Sequence, residues 1–120
     1  LSRLRRGNDS FDIAKSYVMN IANVNSLLDI HAKCFQIDGN MAFVSGVCEM
    51  LIQSHEGFIN LLPALPDEWK DGQLYGFKTR GGATVDLRWE DGQPVDVKIS
   101  GGWKDSVKVM FAGKEISFRE

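Results

Sequence analysis

Ala83-Thr84-Val85-Asp86-Leu87-Arg88-Trp89-Glu90-Asp91-Gly92 alternates apolar and polar side chains without a break and then closes on a turn pair. A period of two belongs to a half-buried β-strand, whose successive side chains point to opposite faces. Ala83, Val85, Leu87 and Trp89 therefore share one inward face. Asp91-Gly92 is a hairpin signal, because both residues tolerate the positive φ that a two-residue loop demands. Beyond it Val95, Val97 and Ile99 continue the inward phase, Val107, Val109 and Phe111 follow, and Gly113-Lys114 turns the chain into Ile116 and Phe118. Before it Phe77 and Thr79 keep the same phase, and Gly81-Gly82 is a hairpin turn: no helix or Lys-Ser/Thr follows to make a phosphate loop. The pattern predicts at least four antiparallel strands after residue 73, as a meander forming a partial β-sandwich, with Val85, Leu87, Trp89, Val97, Val109 and Phe118 buried.

Ahead of Gly57 the period is helical. Leu1 to Arg6 is expected to be the last turns of a helix stopped at Gly7, a residue suited to the left-handed position after a C-terminus. Ser10 is a candidate N-cap, and Ile13, Ala14, Tyr17, Val18 and Ile21 predict a helix over residues 10 to 23, ended by Asn25 and Ser26. Asn40 can cap a second helix running to His55, with Phe43, Val44, Val47, Met50 and Leu51 on its apolar face. Between the helical and strand patterns, Pro63, Pro66 and Asp71-Gly72 suggest a linker, packed against something through Leu61, Leu62, Leu65 and Trp69. The fold class is thus α+β, with a helical part over 1–57, a linker over 58–72 and a C-terminal β-domain over 73–120.

With 120 residues, 43% of them hydrophobic, the chain can bury a modest core. Its net charge of −2 is spread along the whole length and leaves no basic face for a phosphate backbone, so nucleic acid is not an expected partner. The two cysteines, Cys34 and Cys48, lack the further ligands of a metal site and are expected to be small buried apolar residues; no metal or other cofactor is expected. No apolar run approaches the roughly 20 residues of a membrane span, and Leu1 to Arg6 lacks the apolar stretch of a signal peptide, so no membrane partner is expected.

Three blocks in order, Phe35-Gln36-Ile37-Asp38-Gly39-Asn40, Met50-Leu51-Ile52-Gln53-Ser54-His55 and Leu61-Leu62-Pro63-Ala64-Leu65-Pro66, resemble the C-terminal end of glycoside hydrolase family 95, the inverting α-L-fucosidases and their close relatives. The likeness runs from the Leu4 to Tyr17 region to about Val97. It implies that residues 1–57 are the last helices of an (α/α) barrel and that the polypeptide is the tail of a much longer enzyme. That enzyme would remove terminal α-L-fucose, or a similar sugar such as L-galactose, from a glycan substrate without a cofactor. A barrel lacking its other helices would expose Ile13, Tyr17, Phe43, Val47 and Met50, so self-association through that edge is also expected.

By residue chemistry alone, Asp38 before Gly39 is a turn residue bonding nearby backbone donors. The resemblance implies a catalytic part instead. In the family this aspartate polarises an asparagine that acts as base, while a separate glutamate protonates the leaving oxygen, a variant of the two-carboxylate scheme for inverting glycosidases. Neither partner has a counterpart here; Glu49 and Glu56 are expected to be solvated surface residues. The family's Asp-Ala-His-Pro-Pro-Phe pattern implies a histidine reaching the sugar. Here Asp29-Ile30-His31-Ala32-Lys33-Cys34-Phe35 sets His31 one residue farther from Asp38 and lacks both prolines, so sugar contact and a plain loop histidine both stay open. Met41-Ala42 also stands where the family has an aromatic or glycine pair. His55 suits a helix C-terminus. Trp89 is expected in the core, Trp69 wedged between domains, and Trp103 exposed as a candidate sugar platform. The alternative to the enzyme is a non-catalytic carbohydrate-binding or structural accessory domain.

Overall fold

The computed structural model describes residues 1–20, 36–102 and 107–120, together with the backbone of three short strands between residues 22 and 35. A 3-10 turn at Ser2–Leu4 leads into helix α1 (Gly7–Asn20). Strands β1 (Ala22–Asn23), β2 (Leu28–His31) and β3 (Cys34–Phe35) make a small antiparallel sheet before helix α2 (Ile37–Leu51). Seven strands follow: β4 (Ile52–Gln53), β5 (Ile59–Leu61), β6 (Gly72–Lys78), β7 (Thr84–Glu90), β8 (Gln93–Ser100), β9 (Val109–Phe111) and β10 (Lys114–Glu115). Among the described residues the chain is α+β, with two α-helices and sheets that are mostly antiparallel.

Both helices start three residues earlier than the sequence predicts. Gly7 opens α1 rather than stopping a helix: a Cβ there would stand 2.5 Å from the Leu65 carbonyl oxygen and 2.7 Å from that of Ala64. Its value is close approach. The left-handed residue is Arg5, at φ 59, which closes the 3-10 turn. Ser10 lies inside α1 and donates its hydroxyl to the Arg6 carbonyl at 2.8 Å instead of capping. Asn40 likewise sits within α2, its Oδ1 accepting a bond from the Tyr17 hydroxyl at 3.2 Å, while the capping position falls to Gln36 with no side-chain bond. α2 stops at Leu51 because Ile52 turns extended, at φ −141 and ψ 130, and pairs with Leu61 across β4–β5. Strand pairing there outweighs propagation of the helix to His55.

The decisive stretch forms β7, the centre of an antiparallel β6-β7-β8 sheet. The inward phase of β7 is as expected, with Ala83, Val85, Leu87 and Trp89 buried. On β8 Val97 and Ile99 are buried too, but Val95, expected on the same face, is 47% exposed because the register slip leaves it unpaired between Pro94 and Asp96. Asp91 and Gly92, at φ 47 and 71, form the two-residue loop of the β7–β8 hairpin. The register slips between Arg88 and Trp89, where Pro94 faces Trp89; proline has no N–H to give the ladder and is tolerated at such irregular sites. The Trp89 indole is anchored by donating to the Trp69 carbonyl at 2.9 Å.

The meander ends at β8. β9 pairs antiparallel with β10 but lies parallel to β5, in a second sheet of order β10-β9-β5-β4, with Ile59 opposite Val109 and Leu61 opposite Phe111. Residues 58–72 therefore supply a central strand: Ile59 and Leu61 are fully buried, and Leu62, Ala64 and Pro66 are buried behind them. One apolar cluster joins Ile52, Ile59, Leu61 and Val109 of this sheet to Val85, Leu87, Trp89, Val97 and Ile99 of the other. Burying each such side chain is worth about 1.5–3 kcal/mol. Phe118, expected in the core, is only half-buried; it packs at the cluster's margin.

Candidate functional site

Asp38 lies in the first turn of α2, so Asp38-Gly39 is helical and not a tight turn. An acidic residue there complements the helix dipole. Asp38 is exposed, and its neighbour Gly39 lines an apolar groove of about 410 Å3 between α1 and α2. The groove is walled by Ile13, Tyr17, Phe43, Val47 and Met50, with Tyr17 and Phe43 stacked at 5.3 Å. Ala42 lines it as well, whereas Met41 points to solvent. His31 belongs to β2, where its backbone is in register with Cys34; the side chains of His31 and Cys34, and the whole of Trp103, lie outside the described residues.

Glu49 is not a solvated surface residue. Its Oε1 accepts from Arg3 Nη2 at 2.8 Å, tying α2 to the 3-10 turn, while its Oε2 is buried and, among the described residues, accepts no hydrogen bond. The Arg3 hydrogen bond holds the Glu49 carboxyl below its ordinary value, against a smaller opposing effect of burial. His55 lies beyond the end of α2, with Nδ1 3.9 Å from Glu49 Oε2, rather than in its last turn. Glu56 is solvated as expected, in loose contact with Arg5 at 3.7 Å. Cys48 is half-buried rather than buried, and burial pushes its thiol up, with Glu49 adding to the shift. Trp69 is half-buried with its ring edge-on to Phe11 of α1 at 5.6 Å, at the seam between helix and sheet.

A second concavity, of about 510 Å3, has no residue of α2 in its wall and was not visible in the sequence. It forms where Arg5, the 60–67 segment, Lys70, the Asp91-Gly92 loop and the Ala112-Gly113 loop converge. Among the described residues, the non-glycine positions with positive φ are Arg5, Leu62, Asp91 and Ala112, and all of them line it. Such backbone costs about 1 kcal/mol or more at each position and gathers where geometry serves a site. The one hint in the sequence is Asn60, an amide set between Ile59 and Leu61.

The family model described as glycoside hydrolase family 95, C-terminal domain, matches residues 53–119. Alpha-L-fucosidase 2 of Arabidopsis thaliana is 41% identical over 80 residues, which are 66% of this chain and 10% of that protein. Probable alpha-fucosidase A of Aspergillus oryzae is 28% identical over 92 residues, 68% of this chain and 13% of its own length. The protein of the same name from Aspergillus niger is 33% identical over 73 residues, 52% of this chain and 9% of its length. The chain spans about a tenth of the length of the curated relatives it matches.

Proposed function

Since the chain belongs to glycoside hydrolase family 95, whose C-terminal domain it carries, we propose that it is part of a glycosidase removing terminal α-L-fucose, or a similar sugar such as L-galactose, from glycans with inversion. The observation that carries this reading is the 41% identity to a protein named alpha-L-fucosidase 2. In this proposal residues 1–57 are the end of a helical barrel and Asp38 lies at its mouth. The Asp38 carboxylate accepts an N–H from an asparagine side chain, making that amide's oxygen electron-rich enough to draw a proton from water as it attacks the anomeric carbon. A glutamate gives its proton to the leaving oxygen, and both partners come from residues outside these 120. His31 is the candidate for sugar contact. No cofactor enters the scheme.

The test compares a full-length protein containing this chain with its Asp38→Asn form on an aryl α-L-fucoside. The substitution keeps the shape and removes the charge, so turnover should fall by roughly two to four orders of magnitude with the thermal midpoint nearly unchanged. The 120-residue chain alone should show no turnover. Undiminished turnover in the variant would leave Asp38 a helix-start residue only. The accessory-domain reading draws support from the family match beginning at residue 53, past Asp38; it would prevail if the full-length protein were inert as well.

A further inference from the structure

Asn60 is only 6% exposed, yet among the described residues no hydrogen bond engages its side-chain amide. A buried amide normally finds partners, and one without them calls for a ligand or solvent at its polar end. Here that end opens onto the 510 Å3 pocket, not into a sealed core. Asn60 and Gln53 are cross-strand partners on β5 and β4, but Gln53 is satisfied, donating to the Ser2 and Glu49 carbonyls at 2.9 Å. The unused amide is therefore specific to the pocket.

We propose that this pocket binds one neutral, hydroxyl-rich saccharide unit at a site separate from Asp38. Its wall carries two cations, Arg5 and Lys70, and two carboxylates, Asp67 and Asp91, so the charges balance and select neither an anion nor a cation. Asp67 is held in place by a reciprocal pair of bonds with Asn8, both at 2.9 Å, and Arg5 reaches Glu56 only at 3.7 Å. Hydroxyl groups both donate and accept, and so can satisfy the Asn60 amide, the carboxylates and the cations together. Phe111 and Leu65 supply apolar surface for the C–H face of a sugar ring. The left-handed turns at Asp91 and Ala112 place the rim on two tight hairpin loops, fixing its shape before a ligand arrives.

The inference rests on the glycosidase reading only for its choice of probes, L-fucose and L-galactose. The test is a titration of the 120-residue chain with each sugar, followed by backbone amide NMR, which involves no turnover and so fails or succeeds independently of the hydrolysis assay. Saturable shifts at millimolar sugar, centred on Asn60, Leu62, Gly92 and Gly113, are expected. Asn60→Ala should weaken binding about tenfold, the worth of a lost amide partner. Should that variant fail to fold, Lys70→Ala, at an exposed position, should weaken binding in a wild-type fold. The proposal is overturned by the absence of saturable shifts with either sugar, by shifts centred on the α1–α2 groove, or by undiminished affinity in a folded Asn60→Ala chain.

Discussion

Ala112 holds a left-handed backbone at φ 48, followed by Gly113 at φ 78, in the two-residue loop between Phe111 and Lys114. An alanine Cβ crowds the following carbonyl in that conformation, at a cost of about 1–2 kcal/mol, whereas asparagine tolerates it and is preferred at this position of such loops. Ala112→Asn should raise the unfolding free energy by about 0.5–1 kcal/mol, read as a higher urea midpoint at unchanged slope. Glu49 carries the pH prediction. Its folded carboxyl lies below the ordinary 4.5 because Arg3 hydrogen-bonds the anion. The ion pair's contribution is therefore complete above about pH 4.5 and is lost as pH falls through the lower folded value. Glu49→Gln should lower the midpoint at neutral pH, and the gap from wild type should close as the pH is taken well below 4; a gap constant with pH would show that the charge is not what matters.

At the scale of elements, β5 is the strand on which both sheets depend. Leu61 is fully buried within the shared cluster and pairs with Ile52 on one side and Phe111 on the other. Leu61→Ala should cost about 2–5 kcal/mol in chemical denaturation. Leu74→Ala, at a half-buried site on the outer strand β6, should cost clearly less. β7 and β8 were legible because one face of each meets the core and the other meets water, and that difference writes a period of two into the chain. β5 was not, since Ile59, Asn60 and Leu61 are all buried and its partner Val109 lies far along the sequence. Local signals also misled: Asp38-Gly39 and Asn40 have the chemistry of a turn and a cap, but α2 begins ahead of them at Ile37. Asp38 stood out only through resemblance to a family. The Asn60 pocket left no more than the hint of a lone amide between two apolar residues, because Arg5, Asn60, Asp91 and Ala112 meet only after both sheets have formed.

For the molecule as a whole, the contrast between its two parts is one of coverage. The sheets enclose a common core, while α1 and α2 leave Ile13 60%, Met19 72%, Met41 66% and Val44 59% exposed; of the other residues expected at that open edge, Tyr17, Phe43 and Val47 are half-buried and Met50 is buried. Apolar surface of that kind favours association. We expect this chain to self-associate in sedimentation velocity, the associated fraction rising with concentration. Met41→Lys combined with Val44→Glu should shift it toward monomer without lowering the urea midpoint of the β-domain. A wild-type chain that stays monomeric at high concentration would refute the expectation.

The parallel pairing of β5 with β9 also sets an order of events in time. The β6–β7 and β7–β8 hairpins join neighbours in sequence and can close within microseconds, whereas Ile59 must wait for Val109 to be brought across everything between them. During that wait β5 presents an unpaired edge with its ladder groups free. A β9–β10 hairpin from another molecule carries the same sequence and fits that edge as well as the chain's own. Slow closure and strand exchange between molecules are thus two results of one topological choice, and dilution during refolding is what separates them.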